Sequence, residues 1–228
     1  MAKILSIETA TSVCSVALTD EGKCITETNI FRDYNHASLL TPLIEQQLAW
    51  ANWQFTDLDA IAVSQGPGSY TGLRIGVSTA KGLCFALHKP LIAIPTLKAM
   101  AWQALQNIPQ KDFWVCPMID ARRMEVYCGI WDSQLNNILP TQALILQPNS
   151  FAEMLQTQKV FFIGDGVAKA KPLFAYSPQA FFDRHFAPTA RAVGFLAQQA
   201  FDNQKFENLA YFEPLYLKNF LATKPKNK

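Results

Sequence analysis

The chain has 228 residues, half of them hydrophobic, which is enough apolar material for one large domain or two small lobes. Charged residues make up 17% and the formal net charge is +2, so no global field compels binding to nucleic acid or to an anionic membrane, and any role with RNA is local or shared with partners. No apolar run reaches the roughly 18 residues of a membrane span, and Met1-Ala2-Lys3 leads into a strand instead of a secretory apolar stretch, which points to the cytoplasm.

In chain order, residues 4–7 read as a buried strand, the polar stretch 8–12 as a turn, residues 13–18 as a second strand and about 24–30 as a third, an antiparallel meander. From His36 the spacing of Leu39, Leu40, Leu43, Ile44 and Leu48 is helical, with Pro42 demanding a kink or a fresh start capped by Thr41. Residues 61–64 form a short buried strand. It delivers the chain to Gly66-Pro67-Gly68-Ser69-Tyr70-Thr71-Gly72-Leu73-Arg74-Ile75-Gly76, which opens an apolar helix expected to run to about Leu87. Glycine inside a helix costs about 1 kcal/mol relative to alanine. Gly72, Gly76 and Ala80, four apart on one face, therefore need a packing reason: the stripe lets another backbone come near, either this chain's own sheet or a second subunit. Anion capture at the helix N-terminus is a third reading, but the P-loop pattern is absent.

A strand at 91–94 follows, then a helix from an N-cap at Thr96 to near Asn107. Pro109-Gln110-Lys111 marks the lobe boundary, dividing the chain into 1–108 and 109–228. The pattern then restarts with strands at 113–119 and 125–131, joined by the polar turn Asp120-Ala121-Arg122-Arg123. That turn reads either as a plain hairpin or as a site that pairs charges across the lobe cleft or touches a partner. A third strand at 143–146, a capping box over Ser150-Phe151-Ala152-Glu153 and a strand at 159–163 ending in Gly164-Asp165-Gly166 come next. An amphipathic helix at 190–201 follows, with room to pack back on the first lobe, and Lys224 to Lys228 form a short basic tail read as a solvated end. Two lobes, each a meander followed by alternating helices and strands, point to an α/β duplication. Cys14, Cys24, Cys84, Cys116 and Cys128 are odd in number, with no C-x-x-C pair, and read as reduced, buried residues.

Three segments carry a resemblance: Ile4-Leu5-Ser6-Ile7-Glu8-Thr9-Ala10, the glycine segment continuing through Val77-Ser78-Thr79-Ala80-Lys81-Gly82-Leu83, and Asp120-Ala121-Arg122-Arg123-Met124-Glu125-Val126-Tyr127. Together they resemble the bacterial TsaB family over most of the chain. The resemblance implies a two-lobed actin-like, Hsp70-like ATPase (ASKHA) fold, each lobe a mixed sheet with flanking helices. It implies membership of the complex that places a threonylcarbamoyl group on N6 of adenosine 37 in tRNAs reading codons that begin with A. In that family the protein is the non-catalytic partner of the paralogous TsaD subunit, joined by a small ATPase subunit, TsaE. A homodimer is the alternative assembly in isolation, and tRNA is met only through the complex. ATP, Mg²⁺ and the metal site then belong to partner subunits, and this chain needs no cofactor. The partner face implied is the glycine helix, through Ser69, Tyr70, Thr71, Gly72, Leu73, Arg74, Gly76, Val77 and Ala80.

The catalytic paralogue carries a His-x-x-x-His metal pair on the helix after the strand corresponding to 91–94, where one helical face presents residues i and i+4 to one ion. Here that stretch reads Thr96-Leu97-Lys98-Ala99-Met100, so neither a metal site nor a catalytic residue is expected. His36 matches a histidine that both paralogues carry outside the pair and reads as structural. In an actin-like fold, phosphate is held by one hairpin turn per lobe. The candidates for vestigial nucleotide contact are Glu8 and Thr9 in the first lobe and Gly164, Asp165 and Gly166 in the second, against the plainer readings of a strand-end acid and a tight turn. The competing functions are an ATP-dependent kinase acting on a small metabolite, which lacks an assignable catalytic Asp and adenosine site, and a metallopeptidase, which lacks the His pair. None of His36, His88 or His185 sits in a recognisable nucleophile motif.

Overall fold

The computed structural model describes residues 2–31, 36–107 and 112–218. Strands β1 (Lys3–Glu8), β2 (Val13–Asp20) and β3 (Lys23–Phe31) form the expected antiparallel meander. Two parallel strands, β4 (Ala60–Gly66) and β5 (Leu91–Pro95), extend the sheet from β1, giving the order β3-β2-β1-β4-β5. The connections are α1 (His36–Ala51), α2 (Tyr70–Leu87) and α3 (Thr96–Asn107). The second half repeats the scheme with β6 (Phe113–Asp120), β7 (Glu125–Trp131), β8 (Asn137–Ile145), α4 (Met154–Thr157), β9 (Lys159–Ile163), α5 (Val167–Phe174), β10 (Ala180–Asp183) and α6 (Ala190–Asp202). Its sheet runs β10-β9-β6-β7-β8, the same topology in each lobe when read from the meander inward. The duplication extends to backbone detail: Gly66 after β4 has φ +106° and Gly164 after β9 has φ +104°, a left-handed conformation that only glycine adopts cheaply.

Each sheet is buried on both faces, and the two faces are covered differently. Leu5, Ile7, Val16, Leu18, Ile61 and Val63 pack under α1 and α2. On the reverse face Ile4, Ala60, Ala62, Ile92 and Ile94 meet Ala192, Val193, Leu196 and Ala197 of α6, which belongs to the other repeat. Reciprocally, Leu97, Met100, Ala101 and Ala104 of α3 pack on Val115, Ile119, Trp131 and Ile163 of the second sheet. The third helix of each repeat thus lies on its neighbour's sheet.

Several local expectations change. α1 runs unbroken through Pro42, which lies on the exposed side where a missing N–H is least costly, so Thr41 caps nothing. Thr96 is inside α3 instead of capping it, because its hydroxyl accepts the Gly66 amide at 3.1 Å. Ser150 Oγ accepts the Gln147 amide at 2.9 Å, which leaves no capping box ahead of the one-turn α4. β8 starts six residues earlier than expected, at Asn137, while α5 and β10 had no distinct signal. The boundary Pro109-Gln110-Lys111 and the tail from Lys224 to Lys228 lie outside the described residues.

After α6 the chain returns along the first lobe. Glu207 N donates to Leu91 O at 2.9 Å, Leu209 and Phe212 enter the first core, and Leu215 N donates to Gln65 O at 2.7 Å.

Candidate functional site

The glycine helix begins with Ser69, whose Oγ accepts the Gly72 amide at 3.3 Å. Its small-residue stripe faces inward. Thr9 Oγ1 donates to Gly72 O at 2.8 Å, and Ser69 N donates to Ala10 O at 2.7 Å, so the β1–β2 turn lies directly against α2. A Cβ added at Gly68, Gly72 or Gly76 would come nearer than 3.0 Å to Ala10 O, Thr9 O or Thr9 Oγ1 respectively. The expected partner face is corrected accordingly. Gly72, Leu73, Gly76, Val77 and Ala80 are buried in this chain's own core, because the β1 end needs the room they leave. Of the residues assigned to that face, Ser69, Thr71 and Arg74 are exposed, and Tyr70 is half-buried with its ring 4.9 Å from that of Tyr216.

The helix carries a second small-residue stripe that sequence reasoning missed: Ser78, Gly82 and Ala86, again four apart, all exposed. Nothing lies within 4 Å of a Cβ built at Gly82. Phe85, beside it, is 75% exposed, and Trp50 near the end of α1 is 61% exposed. A helix glycine with open space around it has no explanation inside the monomer.

Between the lobes lies a cavity of about 760 Å³, bounded by residues 10–12, the start of α2, the β6–β7 turn and residues 215–218. The first-lobe candidates for phosphate contact do not reach it. Glu8 is 0% exposed, with Oε1 accepting the Ala10 amide at 2.6 Å and Oε2 without a hydrogen bond. Burial outweighs that hydrogen bond and raises its pKa from 4.5 to about 7. The folded state therefore keeps a proton that the unfolded chain has released above pH 4.5, and stability falls as pH rises towards 7. Glu8→Gln should remove a loss of about 3 kcal/mol between acid and slightly alkaline pH. Urea melts of both proteins across that range check this, and parallel pH profiles would refute it.

In the second lobe, Gly164-Asp165-Gly166 is the β9–α5 connection and not a hairpin. The counterpart of the first-lobe turn is the β6–β7 turn at 121–124. Both glycine amides are already taken, Gly164 N by Asp183 O at 3.0 Å and Gly166 N by Met118 O at 3.1 Å. Asp165 accepts the Asp120 amide at 2.8 Å, and burial raises its pKa. These groups serve the turn's own geometry.

Asp120 pairs with Lys169 at 2.7 Å inside its own lobe, while Arg122 and Arg123 are exposed with φ of 68° and 49°. The charge pair that joins this turn to the segment lying against the first lobe is Glu125 with Lys218. His36, 7% exposed, donates from Nε2 to Thr11 O at 2.8 Å and ties α1 to the β1–β2 turn. Thr96 and Met100 are buried at 0% and 1% exposure. Among the described residues no group of three His, Cys, Asp or Glu is placed to hold a metal ion, and no helix is long and apolar enough to cross a membrane.

Comparison with known proteins places this architecture. The profile of the TsaD family, tRNA N6-adenosine threonylcarbamoyltransferase, matches residues 32–224. The tRNA threonylcarbamoyladenosine biosynthesis protein TsaB of Escherichia coli (strain K12) is 32% identical, with 97% of each chain covered. YeaZ from Pseudomonas aeruginosa superposes with a TM-score of 0.82 at 30% identity, covering 95% of this chain and all of that one. The activator of the 2-hydroxyisocaproyl-CoA dehydratase from Clostridium difficile, at 9% identity, shares the fold alone, with a TM-score of 0.50 over 89% of this chain and 96% of its own. The two-sheet duplication is the actin-like ATPase fold. With near-complete coverage of full-length relatives and the same pair of lobes, the chain belongs to the TsaB family of tRNA threonylcarbamoyladenosine biosynthesis proteins.

Proposed function

We propose that this chain is the non-catalytic subunit that activates a TsaD-type paralogue in forming N6-threonylcarbamoyladenosine at position 37 of tRNAs reading A-starting codons. The observation that carries the reading is the interior placement of Thr96 and Met100, the positions of the paralogue's metal ligands: Thr96 is bonded to the Gly66 amide and Met100 packs against the second sheet. The exposed stripe of Ser78, Gly82 and Ala86 with Phe85 supports a partner face on the outer side of α2. That face suits the equivalent helix of the paralogue, or a second copy when the paralogue is absent. A TsaE-type ATPase joins the pair, and ATP, Mg²⁺ and the metal act in the partner subunits within the cytoplasm. The buried Glu8 and the occupied amides of Gly164 and Gly166 favour a subunit that turns over no nucleotide itself.

The purified chain alone is expected to hydrolyse neither ATP nor peptides and to leave tRNA unmodified. Addition of the catalytic paralogue and the ATPase subunit should restore modification, read by mass spectrometry of digested tRNA. ATP turnover by the chain alone that Glu8→Ala abolishes would overturn the proposal in favour of a kinase.

A further inference from the structure

We propose that residues 212–218 form a strap that closes the inter-lobe cleft, seated at one end on the first lobe and latched at the other to the second. The seat is backbone and ring packing. Leu215 N donates to Gln65 O at 2.7 Å, and Leu215 O lies 2.9 Å from the position a Cβ would take at Gly66, so only glycine there admits the strap. Lys81 Nζ donates to Phe212 O at 3.0 Å, and the Tyr216 ring packs on Tyr70 at the first turn of α2. The latch is one side chain: Lys218 Nζ bonds Glu125 Oε2 and donates to Ala121 O at 3.4 Å, holding both ends of the β6–β7 turn. Between seat and latch, residues 215–218 form one wall of the 760 Å³ cavity.

The two ends differ physically. The Leu215–Gln65 hydrogen bond joins neutral backbone groups and is insensitive to salt, whereas the Lys218–Glu125 pair, with side chains 38% and 19% exposed, is screened by it. The latch therefore opens first. Because Leu215 is three residues from Lys218, release of the latch loosens the seat and exposes the cleft.

Hydrogen exchange on the full chain tests this, comparing wild type, Lys218→Met and Tyr216→Ala at low and high salt. In wild type, high salt should speed exchange of the amides of Leu215 and of the 121–125 turn by about two- to five-fold. Lys218→Met should show that faster exchange at both salt levels. Tyr216→Ala should speed exchange at Leu215 and at the start of α2 while the rest of both sheets keeps wild-type rates. Unchanged exchange at Leu215 in Lys218→Met would overturn the proposal, since the latch and seat would then be independent. Acceleration spread evenly over both lobes would also overturn it, as that is global destabilisation.

Discussion

Gly76→Arg is expected to abolish folding. A Cβ at this position would come nearer than 3.0 Å to Thr9 Oγ1, in the buried β1–β2 turn, and 3.6 Å from Ile7 Cγ2, in the core of the first sheet. Overpacking of this kind costs about 1–3 kcal/mol, and a guanidinium confined there without a partner adds several more, against a total stability of about 5–15 kcal/mol. Gly72→Ala is the milder control, since it adds only one methyl group, whose clash is with the carbonyl of the fully buried Thr9. Its higher helix propensity, worth about 1 kcal/mol, offsets only part of that loss. Soluble yield and thermal melting report the outcome. A Gly76→Arg protein that melts like wild type would show that α2 does not seat on β1 as described.

Gly82→Arg, on the opposite side of the same helix, should leave the fold intact and prevent assembly. Nothing stands within 4 Å of its Cβ, so the substitution meets no clash, and the loss of a helix glycine should raise the melting temperature slightly. If Ser78, Gly82 and Ala86 admit a partner's helix closely, a long cation in their midst should weaken association at least about 100-fold. Phe85→Ala should weaken it about 30-fold by removing a large exposed ring. Co-elution and calorimetry with the TsaD-type paralogue measure both. A folded Gly82→Arg variant that still binds at wild-type affinity would place the interface elsewhere.

That pair of substitutions also marks where the sequence stops being informative. The meander, the order of the first-lobe elements and the glycine helix were legible because alternation and 3.6-residue spacing are strong there. The direction in which α2 faces was not, because the helix carries two small-residue stripes, 72-76-80 and 78-82-86. Spacing alone cannot say which one meets the chain's own sheet. Contact with Thr9 decides it, and that contact spans 63 residues. Gly164-Asp165-Gly166 stays open in the sequence between a phosphate-binding hairpin and a tight turn, since a glycine pair after a strand fits a hairpin and a strand-to-helix turn equally well. α5 was hidden by Pro172 and a mixed Ala-Lys stretch, and the returning segment 203–218 has no periodicity to read. Its structure comes from docking on Gln65, Gly66 and Tyr70. The absent His pair, by contrast, was plain, because a metal site is a statement about residue identity at two positions.

The placement of α3 and α6 has a consequence for the protein as a folding unit. Each half supplies the helix that covers the back of the other half's sheet, an arrangement equivalent to a swapped dimer whose two protomers have been joined end to end. Neither half alone can bury both faces of its sheet, so the lobes are not independent modules on a linker. A cut between them would yield two fragments that must find each other before either acquires a complete interior. Any hinge between the lobes must therefore leave α3 and α6 seated on their neighbours' sheets.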